Sequence, residues 1–154
     1  GFFARSFCAD EFAAHGLPTE FVQQNTSFSV TRGTLRGMHY QIAPNAEDKL
    51  VRCLRGTLFD VALDLRPESP TYLKWQSFEL SAENRTQILI PKGVAHGFQT
   101  LQDETEICYL VSSRYAPEAE RGVRWNDPAT GIDWPLEPTV MSDKDQNWPD
   151  LDPS

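Results

Sequence analysis

Between residues 57 and 65 the chain alternates with period two, so that Phe59, Val61, Leu63 and Leu65 fall on one face and Asp60, Ala62 and Asp64 on the other. This pattern predicts a half-buried strand. The run 49–55 precedes it through Gly56, and turn residues at 67–70 close it, which reads as a hairpin-like succession. Further strands are predicted at 25–30, 35–41, 72–80, 86–90, 97–101 and 104–112. Only one short helix is expected, at 10–15, with Asp10 as N-cap and Gly16 just past its end. Beyond Pro117 the chain is rich in Pro, Asp and Trp and reads as an irregular segment wrapped over the sheets. Regular short strands with few helices predict an all-β, double-sheet jelly-roll barrel, an architecture able to enclose a small-molecule cavity.

Composition narrows the function. The 154 residues suffice for one domain, expected to span residues 1–154, and 40% apolar content is enough to fill a core. A formal charge of -8 disfavours nucleic acid and anionic membrane as partners, and no long apolar run marks a membrane span, so a cytoplasmic location is expected. The charge is uneven, however. Between Thr31 and Gly56 lie Arg32, Arg36, Lys49, Arg52 and Arg55 against only Glu47 and Asp48, a patch suited to a small anionic ligand or to solvated strand ends. Cys8, Cys53 and Cys108 are odd in number and lie at no metal-ligand spacing, so reduced thiols are expected, with neither a disulfide framework nor a zinc site.

The candidate chemistry sits on three predicted strands. The stretch from Pro91 to His96 has the form P-x-G-x-x-H, a turn that aims a histidine inward and resembles the second motif of the cupin superfamily. Metal-binding cupins add an H-x-H pair and a glutamate, whereas the segment RGMHYQ at 36–41 offers His39 alone, so no metal is expected. His39 shares a predicted face with Leu35 and Gly37, Tyr109 with Ile107 and Val111, and Lys49 with Val51 and Cys53. Any one of these polar groups taken singly would pass for a hydrogen-bonded core residue. Burying an imidazole, a phenol and an ammonium together costs several kcal/mol unless they pair, which favours a functional purpose.

Five linked stretches then make a specific resemblance: TLRGMHYQ at 34–41, KLVRC at 49–53, FDVALDLR at 59–66, IPKGVAHGF at 90–98 and RWNDP at 124–128. In order and over nearly the whole chain they resemble the dTDP-4-dehydrorhamnose 3,5-epimerases of nucleotide-sugar biosynthesis. The resemblance implies a cofactor-independent epimerase that inverts carbon 3, carbon 5 or both of a dTDP-linked 4-keto-6-deoxy sugar. It implies His39 as general base oriented by Asp145, Lys49 as stabiliser of the enolate oxygen, and Tyr109 as acid on the other face. Gln23, Asn25, Arg36, His96 and Tyr115 would line the substrate site, with Phe3 near the base, Lys144 near the phosphates, and Arg36 and Arg52 binding the diphosphate. It also implies a homodimer and a strand upstream of Gly1. Leu110 stands where many relatives carry lysine, and Arg5 where an acidic residue is often found.

The chemistry sets demands that this set can meet. A proton beside a ketone is about a dozen pKa units less acidic than imidazolium, an uphill transfer of roughly 16 kcal/mol for a bare histidine. A lysine aimed at the developing oxyanion supplies much of the difference, and inversion requires acid and base on opposing walls. Three alternatives stay open from sequence: a ketoisomerase or single epimerase on the same framework, a metal-dependent cupin, and a non-catalytic nucleotide-sugar-binding module.

Overall fold

A computed structural model describes residues 1–153 as two antiparallel sheets facing one another. The four-stranded sheet runs in the order β1 (Gln23–Ser29), β8 (Thr105–Val111), β3 (Lys49–Arg55), β6 (Gln87–Ile90). The five-stranded sheet runs β5 (Trp75–Ser81), β4 (Thr57–Asp64), β7 (Val94–Thr100), β2 (Leu35–Gln41), β9 (Glu120–Gly122). This is the expected jelly roll. Most predicted strands fall within a few residues of their observed bounds, while β9 lies in the tail read as irregular.

Two expectations about β3 and β4 fail. They do not form a hairpin: β3 pairs with β6 and β8, β4 with β5 and β7. The chain changes sheets at Gly56, whose φ of 78° is open to glycine at little cost. Nor is β4 half-buried. Its alternating apolar face, with Val61 and Leu63 fully buried, turns away from the barrel and packs under Trp75, Ile132, Trp134 and Leu151. The opposite face, carrying Leu58, Asp60 and Ala62, turns in towards Val51, Phe98 and Ile107. Both faces are covered because the tail forms a third layer, so the apolar alternation marks the outer core and the polar positions mark the interior.

The tail is held by specific bonds. Gln99 donates to Leu136 O at 2.8 Å and accepts from Leu136 N at 3.1 Å, and the Trp134 indole donates to Trp125 O at 2.8 Å. Near its end the tail forms a one-turn helix, α2 (Asp143–Gln146), whose Ser142 N-cap accepts from Asp145 N at 3.1 Å. At the other end α1 spans Ala9–Ala14, and Cys8 rather than Asp10 is the N-cap; Asp10 sits in the first turn, favourable to the helix dipole without closing the cap. Phe7, Phe12 and Phe21 pack edge-to-face around it. Cys8, Cys53 and Cys108 are free thiols. No helix among the described residues is long and apolar enough to cross a membrane.

Candidate active site

His39 reaches the barrel interior through an irregularity in β2. Arg36 pairs with Phe98 and His39 with His96, so three steps on β2 match two on β7. An extra residue in one strand reverses the alternation, and Arg36 and His39, which strict period two would place on opposite faces, both line one cavity. Leu35, expected beside His39, lies opposite Gln99 on the outer face instead. The close approach behind the irregularity needs two glycines: a Cβ on Gly37 would lie 2.5 Å from Gly97 Cα, and one on Gly97 would lie 2.6 Å from Met38 Sδ.

Asp145, brought from α2 and only 2% exposed, accepts from His39 Nε2 at 2.5 Å, from Trp148 Nε1 at 3.2 Å and from Gly37 N at 3.3 Å. Burial alone would raise its carboxyl pKa, but the His39 bond and charge with the two N–H donors outweigh it and hold it below the usual carboxylate range. With the Nε2 proton given to Asp145, the His39 tautomer leaves the Nδ1 lone pair free for the cavity.

Tyr109 comes from the other sheet, on β8 between Asn25 and Val51. It shares with His39 and Lys49 a cavity of about 330 Å³ that Gln23, Asn25, Tyr115 and Glu120 also line. Burial, and then the negative charge of Glu47, raise the phenol pKa, with Arg36 opposing, so the hydroxyl keeps its proton. Lys49, 7% exposed, lies 3.4 Å from the Glu47 carboxylate. The turn after Pro91, closed by Val94 N to Pro91 O at 3.2 Å, leads into β7 and buries His96 against Asp60 at 2.8 Å, beside Arg36 and His39. Burial raises the Asp60 carboxyl pKa, with His96 pulling the other way. Arg36 Nε is buried without a protein partner among the described residues.

At the mouth, Glu120 takes both Lys144 Nζ, at 2.9 Å to each oxygen, and Tyr115 Oη at 3.1 Å. Gln23 accepts from Tyr115 N at 2.7 Å. Two predicted residues are not brought in by this chain. Phe3 is 93% exposed, and Arg52 lines a separate groove with Phe2, Arg5 and Arg85, on the opposite face of β3 from Lys49. Glu47 and Glu120 were missed by sequence reasoning. Glu47 stands two positions before Lys49, outside any alternating run, and only the proximity of opposite charges could have flagged it.

The arrangement sets an imidazole on one wall, a phenol on the other and an ammonium in the same cavity. Comparisons with known proteins show the family. The family model described as dTDP-4-dehydrorhamnose 3,5-epimerase matches residues 1–153. A curated enzyme of that name from Sinorhizobium fredii is 49% identical over 152 residues, covering 98% of this chain and 78% of its own. The crystal structure of such an enzyme from Bacillus anthracis, with TDP and PPi bound, superposes with a TM-score of 0.95 at 42% identity, covering 98% of this chain and 86% of that one. A Legionella pneumophila epimerase in complex with dTDP-4-keto-L-rhamnose gives a TM-score of 0.88 at 44% identity, with 94% and 77% covered.

Proposed function

Because this chain belongs to the dTDP-4-dehydrorhamnose 3,5-epimerase family, we propose that it inverts carbon 3, carbon 5 or both of a dTDP-linked 4-keto-6-deoxy sugar held in the His39–Tyr109 cavity. His39 Nδ1 removes the proton beside the ketone, and Asp145 stabilises the imidazolium that results. The electron pair moves to the ketone oxygen as an enolate, which Lys49 stabilises. Tyr109 then delivers its proton to the opposite face of the carbon, so the centre is inverted. A proton passing back from the imidazolium to the phenolate through solvent resets both groups. Gln23, Asn25, His96 and Tyr115 bind the sugar, and Arg36 and Lys144 bind the diphosphate.

The observation that carries this reading is that His39 and Tyr109 come from different sheets yet line one cavity with Lys49. One wall alone would return the proton to the face it left. We propose further that the enzyme acts in the cytoplasm as a homodimer. Exposed Phe28 on β1 and Leu54 on β3 support a docking face on the outside of the four-stranded sheet, and a second copy seated there offers exposed Phe3 and Arg52 a cavity that their own chain denies them.

The test is incubation with dTDP-4-keto-6-deoxyglucose in deuterium oxide, followed by proton NMR. Label entering at both carbons with inversion fits a double epimerase, label at one carbon a single epimerase. Binding without label at either carbon would refute the catalytic reading. Light scattering across a dilution series tests the dimer.

A further inference from the structure

Within this cavity two carboxylates, Glu47 and Glu120, have no part in the steps above; Glu120 is paired with Lys144 at the mouth, and Glu47 with Lys49. Glu47 lies on its wall, although the substrate proposed for it carries a diphosphate, and an unpaired carboxylate there would repel that ligand. Its Oε1 is 3.4 Å from Lys49 Nζ, and it is the ionic partner of that nearly buried ammonium. Its Oε2 lies 3.4 Å from Gln41 Nε2, and Gln41 is itself fixed by donating to Asn45 O and accepting from Ala116 N, each at 2.8 Å. A chain of supports therefore runs from the end of β2 through Gln41 and Glu47 to Lys49.

We propose that Glu47 is a positioning residue, an oxygen acceptor that holds the Lys49 ammonium against the cavity wall where the enolate oxygen forms. This deepens the reading above and rests on Lys49 acting as enolate stabiliser. The separation of 3.4 Å is longer than a tight charge-assisted hydrogen bond, so Glu47 steers the ammonium without taking all of its donors. Pairing also offsets the positive charge of Lys49 before substrate arrives, which leaves Arg36 to attract the diphosphate and keeps Lys49 for the oxyanion. Burial raises the Glu47 carboxyl pKa, with Lys49 opposing. Protonated or not, it presents an oxygen to Lys49.

The experiment compares the unaltered enzyme with Glu47→Leu, which fills the space without an acceptor, and Glu47→Gln, which restores an oxygen without charge. Turnover is measured with substrate carrying hydrogen or deuterium at carbon 5, and folding by thermal melting. Since displacing a catalytic group by about 1 Å can cost about 100-fold, Glu47→Leu should lose roughly 10- to 100-fold in kcat with KM not raised and a larger isotope effect, and Glu47→Gln should return to within about threefold. Should the leucine variant fail to melt cooperatively, Glu47→Ala takes its place. Unchanged kcat in the folded variant, or a loss of kcat with an unchanged isotope effect, overturns the proposal alone. Absence of exchange in the unaltered enzyme overturns it together with the reading on which it rests.

Discussion

Replacing Asp145 by asparagine should abolish most of the activity while leaving the fold in place. The carboxylate is 2% exposed and meets His39 Nε2 at 2.5 Å. When His39 takes the substrate proton it becomes a cation beside this anion. Two unit charges about 4 Å apart at an effective dielectric constant of about 20 attract by about 4 kcal/mol, most of which a neutral amide forfeits. That alone is about a 10³-fold loss in rate. Tautomerism adds to it. Gly37 N donates to Oδ2 at 3.3 Å, while Trp148 Nε1 donates at 3.2 Å to Oδ1, the oxygen that also faces His39, so either orientation of an amide sets its NH2 against an N–H: towards Gly37, or towards both Trp148 and His39. With the amide nitrogen towards His39, the imidazole must place its proton on Nδ1, where the lone pair is needed, and a comparable swap in a Ser-His-Asp triad costs about 10⁴. The assay is the initial rate of label incorporation at saturating substrate, with melting curves to show that α2 stays docked. A folded variant retaining more than about a tenth of wild-type kcat would refute the dyad assignment, because the Coulomb term alone exceeds that loss.

Tyr109→Phe should leave deuterium exchange through His39 measurable while inversion falls by about 10² or more, the usual worth of a positioned acid; full epimerisation by this variant would end the assignment. Gly97→Ala puts a Cβ 2.9 Å from Arg36 O and 2.6 Å from Met38 Sδ, so it should cost about 1–3 kcal/mol, lower Tm by about 2–4 °C for each, and depress activity because β2 carries His39. Melting and initial rates check both parts. Asp64 is bound by Arg66 Nε and Nη2 at 2.8 and 2.9 Å and by Ser69 and Thr71, with Arg66 first in holding its carboxyl pKa well below the usual range. A depressed folded-state value contributes stability that is present above the unfolded value of about 4 and lost as pH falls below it. Asp64→Asn should therefore lower Tm at pH 7 by about 3–6 °C, on about 1.5 kcal/mol left after screening of the half-exposed Arg66, and the two melting curves should converge towards pH 2.

Much of the barrel was legible in the chain because period two and turn residues are local signals. The bounds of 35–41 and 49–55 match β2 and β3 residue for residue. What failed was the assignment of faces and partners, which is not local. The alternation of Phe59, Val61, Leu63 and Leu65 marks a buried face, but nothing in it tells whether the cover is the opposing sheet or the tail; only the docking of Trp134 and Leu151 decides that. The same limit explains the supposed hairpin, since a strand that ends at Gly56 can fold back on its neighbour or cross to the facing sheet with the same turn chemistry.

The site divides along the same line. His39, Lys49, Tyr109 and Asp145 were found through linked motifs and meet in or beside one cavity, yet the face assigned to His39 holds only because β2 slips by one residue between Arg36 and His39. Plain alternation would have sent one of the two outward, so the irregularity puts a guanidinium and an imidazole on one wall. Glu47 escaped notice because its meaning depends on the ammonium it faces, and Phe3 and Arg52 lie outside the cavity of their own chain. Residues carried by the linked motifs could be read from the chain even where their partners lie on the other sheet or in the tail, and a residue outside those motifs, such as Glu47, could not. For inversion the placement across sheets is decisive: acid and base must stand on opposing walls, so the reaction depends on how the sheets face one another and not on either strand alone.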